Sequence, residues 1–176
     1  MKNNITSLRD IYYPIGSGTQ LFYGIARLRD MIAEYPVDID CDFQRGHVWT
    51  TKQKQLFVGH LLEGGQIPSC ILNVDPEETL SAAQLVDGKQ RMTACIDWCE
   101  GVVVAELSDG RFIKYNELDK TSITMCSMTI GLRFIITKMT RKDVLSLYIK
   151  LNRGGTVHTE EEINKVKELL KAEQGK

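Results

Sequence analysis

The sequence is short of the features that would direct a chain to a membrane, an oxidising compartment or a bound metal. No run approaches the roughly 18 apolar residues of a membrane span, and the opening "MKNNITSLRDIYYPIGSG" lacks the apolar centre of a secretory signal. These absences predict a cytoplasmic chain with no membrane partner. The five cysteines, Cys41, Cys70, Cys95, Cys99 and Cys126, are odd in number and include no Cys-x-x-Cys, and the three histidines, His47, His60 and His158, are scattered. That pattern encourages neither a disulfide framework nor a zinc site. An excess of one charge is missing too: 22 Lys and Arg stand against 23 Asp and Glu, a formal net charge of −1. Bulk attraction to nucleic acid is thereby excluded, while a local basic groove is not. There is no internal repeat, low-complexity tract or linker.

What is present suits one globular domain: 176 residues, 43% hydrophobic and 26% charged. "GTQLFYGIARLRDMIAEYP" places Leu21, Ile25, Leu28 and Ile32 on one face and stops before Pro36, which predicts a helix of about fourteen residues. "VDIDCDFQRGHVW" reads as a short strand and a loop. Thr50 or Thr51 caps the next helix, "TKQKQLFVGHLLEGG", with Phe57, Leu61, Val58 and Leu62 inward and Gly64 and Gly65 at its end. "SCILNVD" and "AAQLVD" read as strands joined by the polar "PEETLS", and Asp109-Gly110 turns a hairpin within "VVVAELSDGRFIKY". "SITMCSMTIGLRFIITKM" reads as strand. Thr140 caps "RKDVLSLYIKLN", whose buried stripe is Val144, Leu147, Tyr148 and Leu151, and "TEEEINKVKELLKAEQ" opens with a capping box from Thr159 to Glu162. The expected fold is α+β, a small mixed sheet with helices packed around it.

Three stretches carry candidate chemistry. In "VDGKQRM" a second Asp-Gly pair leads into a helix, because Met92, Cys95, Ile96 and Cys99 recur at helical spacing. Gly88 lets the backbone approach a ligand, the first free amides of the helix point at an anion, and Lys89 and Arg91 add positive charge. Asp87 at the strand end suits a magnesium ion or the orientation of a hydroxyl, and Gln90 suits donation to a phosphate oxygen. The bland alternative is a strand-to-helix turn with a solvated first helical turn. In "DFQRGHVW" Gln44 and Arg45 offer planar donors beside Trp49, a stacking face that is equally a core aromatic. In "LNRGGTVH" Asn152, Arg153, Gly154 and Gly155 form either an anion-facing loop or a helix C-cap.

In order and spacing these stretches resemble the N-terminal domain of the GmrSD-type restriction proteins, within the ParB/sulfiredoxin-like superfamily. The matching residues are Phe43, Gln44, Arg45 and Trp49; Ile67 and Pro68; Asp87, Gly88, Gln90 and Arg91; and Leu151, Asn152, Gly154 and Gly155, spread over roughly residues 20 to 170. The resemblance implies a ParB-like domain that binds a nucleoside triphosphate with Mg2+, has NTP hydrolysis as its candidate activity and acts with or on DNA in defence against phage. Asp87, Gln90 and Arg91 are the implied catalytic residues, Asp87 also the metal ligand. Gln44, Arg45, Trp49, Gly88, Lys89, Thr93, Asn152, Arg153, Gly154 and Gly155 are the implied ligand-binding residues. Lys89 stands where the family has Gln. Relatives carry a C-terminal His-Asn-His nuclease domain, so a nuclease partner in trans is expected. Sulfiredoxins place a reactive Cys in the equivalent loop, whereas residues 87–91 contain none. Two other functions stay open: a self-contained phosphoryl-transfer enzyme or nuclease, and a non-catalytic binding or inhibitor protein.

Overall fold

A computed structural model of the chain describes residues 19–34, 37–44, 46, 48–76, 83–151 and 160–174. Along the chain run β1 (Thr19–Gly24), α1 (Leu28–Glu34), β2 (Val37–Asp38), α2 (Thr51–Leu62), β3 (Cys70–Asn73), β4 (Ala83–Asp87) and α3 (Lys89–Cys99). Then come β5 (Ala105–Glu106), β6 (Phe112–Ile113), α4 (Lys120–Met128), β7 (Gly131–Thr137), α5 (Arg141–Leu151) and α6 (Glu160–Gln174). Five strands form a mixed sheet in the order β1-β7-β3-β4-β2, and β5 with β6 forms a separate hairpin. The β1–β7 and β3–β4 pairs are antiparallel, whereas β7–β3 and β4–β2 are parallel. The architecture is α+β, as expected.

Strand alternation divides the core between the two faces of this sheet. On β4, Leu85 enters the larger cluster with Val58, Met92, Cys95, Trp98, Leu132 and Phe134. Its neighbour Val86 enters a second cluster with Cys41, Phe43, Val144, Leu145, Tyr148, Ile149 and Val166. Helices α5 and α6 therefore cover the face opposite α2 and α3. Each large aliphatic or aromatic side chain buried this way contributes about 1.5–3 kcal/mol. The buried Asn73 closes the sheet: its Oδ1 accepts from Met139 N (2.8 Å) and Thr137 Oγ1 (2.9 Å), and its Nδ2 donates to the Met139 carbonyl (3.0 Å). Both ends of its amide are engaged at the exit of β7.

Much of the local reading holds. Thr50 caps α2 in a capping box with Gln53, Gly64 follows the helix at φ +81°, and Gly110 turns the β5–β6 hairpin at φ +84°. Three readings change. Residues 19–24 form a strand, and the helix begins only at Leu28. There Leu21 and Tyr23 alternate with the exposed Gln20 and Phe22, so pairing with β7 outweighs the helical spacing of Leu21 and Ile25. Lys120–Met128 is helical although its Ile and Thr favour strands. Asp119 caps it by accepting from Ser122 N (2.7 Å), and Thr124 and Ser127 hydroxyls bond back to the carbonyls four residues earlier. On α5 the buried residues are Val144, Leu145, Tyr148 and Ile149, with Leu147 half-buried and Leu151 39% exposed. The stripe is rotated because two layers, α6 and β4, press on this helix. The "PEETLS" connection beyond Pro76 and the Thr159 end of the last capping box lie outside the described residues.

Candidate functional site

The turn from β4 into α3 is built around Gly88, the N-cap of α3, at φ +109°. A Cβ there would overlap Cys70 Sγ and stand 2.7 Å from Cys70 Cβ, so β3 is packed directly behind the turn. This conformation and this space both require glycine. The first turn of α3 consists of Lys89, Gln90 and Arg91, whose amides have no side-chain acceptor at the N-cap, since glycine supplies none.

The three side chains that follow Gly88 each reach a different part of the fold. Gln90 Oε1 accepts from Val48 N (3.2 Å) and Trp49 N (3.3 Å), while its Nε2 donates to the Gly46 carbonyl (3.1 Å). Gln90 thus holds the segment leading into α2. Arg91 donates to Asp87 Oδ2 (2.6 Å) and to the Pro68 carbonyl, with its side chain 12% exposed and that of Asp87 43% exposed. Lys89 Nζ contacts Asp40 Oδ1 at 2.7 Å. Gln44 donates from Nε2 to the carbonyls of Leu85 and Val86, and its buried Oε1 has no hydrogen-bond partner among the described residues. The Gln44 stretch and the Asp87 stretch, 41 residues apart for Gln44 and Leu85, therefore meet at one end of β4.

The remaining expected site residues divide as follows. Trp49 packs its ring against Phe57 with centroids 5.1 Å apart at the rim of the larger core cluster. Thr93 is half-buried one turn into α3. Arg45, Asn152, Arg153, Gly154 and Gly155 lie outside the described residues, so the third stretch is located only as following the end of α5. The basic start of α2 is internally neutralised: Lys52 pairs with Glu106, and Lys54 with Asp97 at 2.6 Å with both side chains mostly buried.

Residues that the motifs did not single out complete the site. Asp40 and Asp42 precede Gln44 on a segment fastened by Cys41 and Phe43, which sit in the second core cluster, with Phe43 edge-on to Tyr148 at 5.3 Å. Asp42 Oδ2 pairs with Arg141 at 2.6 Å. The alternating acids of "DIDCD" just before the Gln-Arg pair were the available signal. Burial holds the thiols protonated: Cys70, the sulfur behind Gly88, is pushed up to about 11 and Cys41 to about 12, where Asp38 adds to the effect of burial. A thiol in that state is a poor nucleophile. Among the described residues no group of three or more His, Cys, Asp or Glu side chains is arranged to share a metal ion, and no helix is long and apolar enough to cross a membrane. Magnesium, however, is held by one or two carboxylates together with substrate phosphates rather than by an all-protein cage. Asp87 is a partly exposed carboxylate at the turn, with Oδ2 engaged by Arg91.

Fold and site together define a small mixed-sheet α+β domain with its polar residues gathered at a strand-to-helix turn. The family described as the GmrSD restriction endonuclease N-terminal domain matches residues 26–169, and the chain belongs to that family. No curated protein and no solved structure matches the chain significantly.

Proposed function

We propose that this is the nucleotide-binding module of a restriction system, taking the phosphates of a nucleoside triphosphate at the β4–α3 turn. The observation that carries this reading is the start of α3: three consecutive amides follow the left-handed Gly88 with no N-cap side chain, and Lys89 stands beside them. Membership in a restriction endonuclease family agrees with it. In this reading the domain is one ParB/sulfiredoxin-like unit of the cytoplasm, acts with or on DNA, and works with a nuclease in trans.

Asp87 would hold the magnesium ion that accompanies the phosphates, supplying charge neutralisation and orientation for phosphoryl transfer. Gln90 holds Gly46, Val48 and Trp49 in place, and Arg45, Arg153, Gly154 and Gly155 are the further ligand-binding residues that the family resemblance implies. One observation favours a second reading, binding without turnover: Arg91 already engages Asp87 Oδ2 and so competes with a metal for the carboxylate. Incubation with each NTP and magnesium, with and without DNA, separates the two. Asp87→Asn should leave the fold intact and abolish magnesium-dependent turnover. Turnover retained by that variant removes Asp87 from the reaction, and binding without turnover by the wild type selects the second reading. Absence of NTP binding by calorimetry removes the site altogether.

A further inference from the structure

Lys89 and Asp40 form the most lopsided ion pair at the turn. The lysine side chain is 12% exposed, whereas the aspartate side chain is 77% exposed. The cation is fixed by its place in the first turn of α3, and the carboxylate reaches it from solvent. Asp40 can also leave without disturbing its own segment, because Cys41 and Phe43 remain buried and Asp42 remains on Arg141. Arg91 differs in this respect, since it is bound to the Pro68 carbonyl as well as to Asp87. Of the two charged residues in that turn, Lys89 is the one that can change partner by a single side-chain movement.

Resting on the phosphate-site reading above, we propose that Asp40 is an internal occupant of that site, a carboxylate that Lys89 exchanges for a phosphate group of the incoming ligand. Through Lys89 the Asp40 carboxylate meets the same positive charge that a phosphate would. It also keeps Lys89 neutralised while the ligand is absent. Displacing it has a modest cost, because the carboxylate half of the pair stands in solvent and is screened there, and a ligand of higher charge recovers more than that. The device sets a threshold: singly charged anions compete poorly with Asp40, and polyphosphates compete well.

The test uses inorganic tripolyphosphate, which supplies the charge without a base, titrated calorimetrically into the whole chain at low ionic strength. Asp40→Asn should tighten binding about two- to fivefold, the factor corresponding to release of one ion pair whose carboxylate is solvated. Asp42→Asn, which removes the same charge two residues away, should not, and in a Lys89→Met background the gain from Asp40→Asn should vanish. Equal or weaker binding by Asp40→Asn, a gain that survives in Lys89→Met, or the same gain in Asp42→Asn would overturn the exchange while leaving the phosphate site standing. Failure of both wild type and Asp40→Asn to bind tripolyphosphate would remove the site and the exchange together.

Discussion

The molecule contains two Asp-Gly turns, and they differ in almost everything except the dipeptide. At Asp109 and Gly110 the chain reverses between two short strands, a Cβ on Gly110 would meet nothing within 4 Å, and Asp109 pairs with Arg111 at the surface. At Asp87 and Gly88 a strand enters a helix, the glycine is buried against Cys70, and Asp87 pairs with an Arg91 whose side chain is largely enclosed. Both glycines have positive φ. What separates them is that the first turn needs only a backbone conformation, whereas the second needs conformation, space and charge at once. A turn constrained three ways by its surroundings is where a ligand site can be held in place without help from the loop itself.

The largest effect that sharpens the contrast comes from alanine at each glycine. Gly88→Ala meets both a left-handed backbone and Cys70, and should cost about 3 kcal/mol or more. Gly110→Ala meets the backbone term alone, about 1 kcal/mol. Urea midpoints measure both, and equal losses would erase the distinction between the turns. Next, Arg91→Ala removes charge-assisted bonds to Asp87 and the Pro68 carbonyl and should destabilise the fold by about 2 kcal/mol, while Arg111→Ala should leave the midpoint where it was. Stability unchanged in Arg91→Ala would mean that this arginine is held for a ligand rather than for the fold.

A smaller effect is expected at Gln90. Gln90→Ala frees the Gly46 carbonyl and the Val48 and Trp49 amides, at about 1–2 kcal/mol. Trp49 should then become more solvated and its emission move to the red, while the fully buried Trp98 does not change. An unaltered spectrum would show that the 46–49 segment does not depend on Gln90. A separate effect, confined to high pH, is expected with alkali. Burial raises Cys41 and Cys99 to about 12 and Cys70 to about 11 from the ordinary thiol value of 9.0. Because the folded state holds these protons more tightly, its advantage is complete below about pH 9 and is lost as pH rises toward 11–12. Midpoints should be flat from neutral to pH 8.5 and fall above pH 9, and iodoacetamide should label none of these three thiols in the native protein at pH 8. Rapid labelling of Cys70 at that pH would contradict its burial behind Gly88.

The comparison of the two turns also shows how far the sequence could be read. The buried face of α3, the capping box of α2 and the hairpin at Gly110 were legible because each depends on residues within a few positions of one another. Leu21 misled the reading: its spacing to Ile25 and Leu28 is helical, yet the backbone there pairs with Leu132, Phe134 and their neighbours more than a hundred residues later.

By itself the sequence determined that a glycine-led helix follows Asp87, that Gln44 and Arg45 precede a capped helix, and that the chain belongs with the restriction proteins whose motifs it shares. Only the tertiary structure decided what those side chains do. Gln90 reaches Gly46, 44 residues back, Arg91 reaches Pro68, 23 residues back, and Lys89 reaches Asp40, 49 residues back. Local sequence fixes backbone conformation through short-range sterics and capping. The partner of a charged or amide side chain is set by which strands the sheet brings side by side, and no pattern within a window of ten residues contains that information.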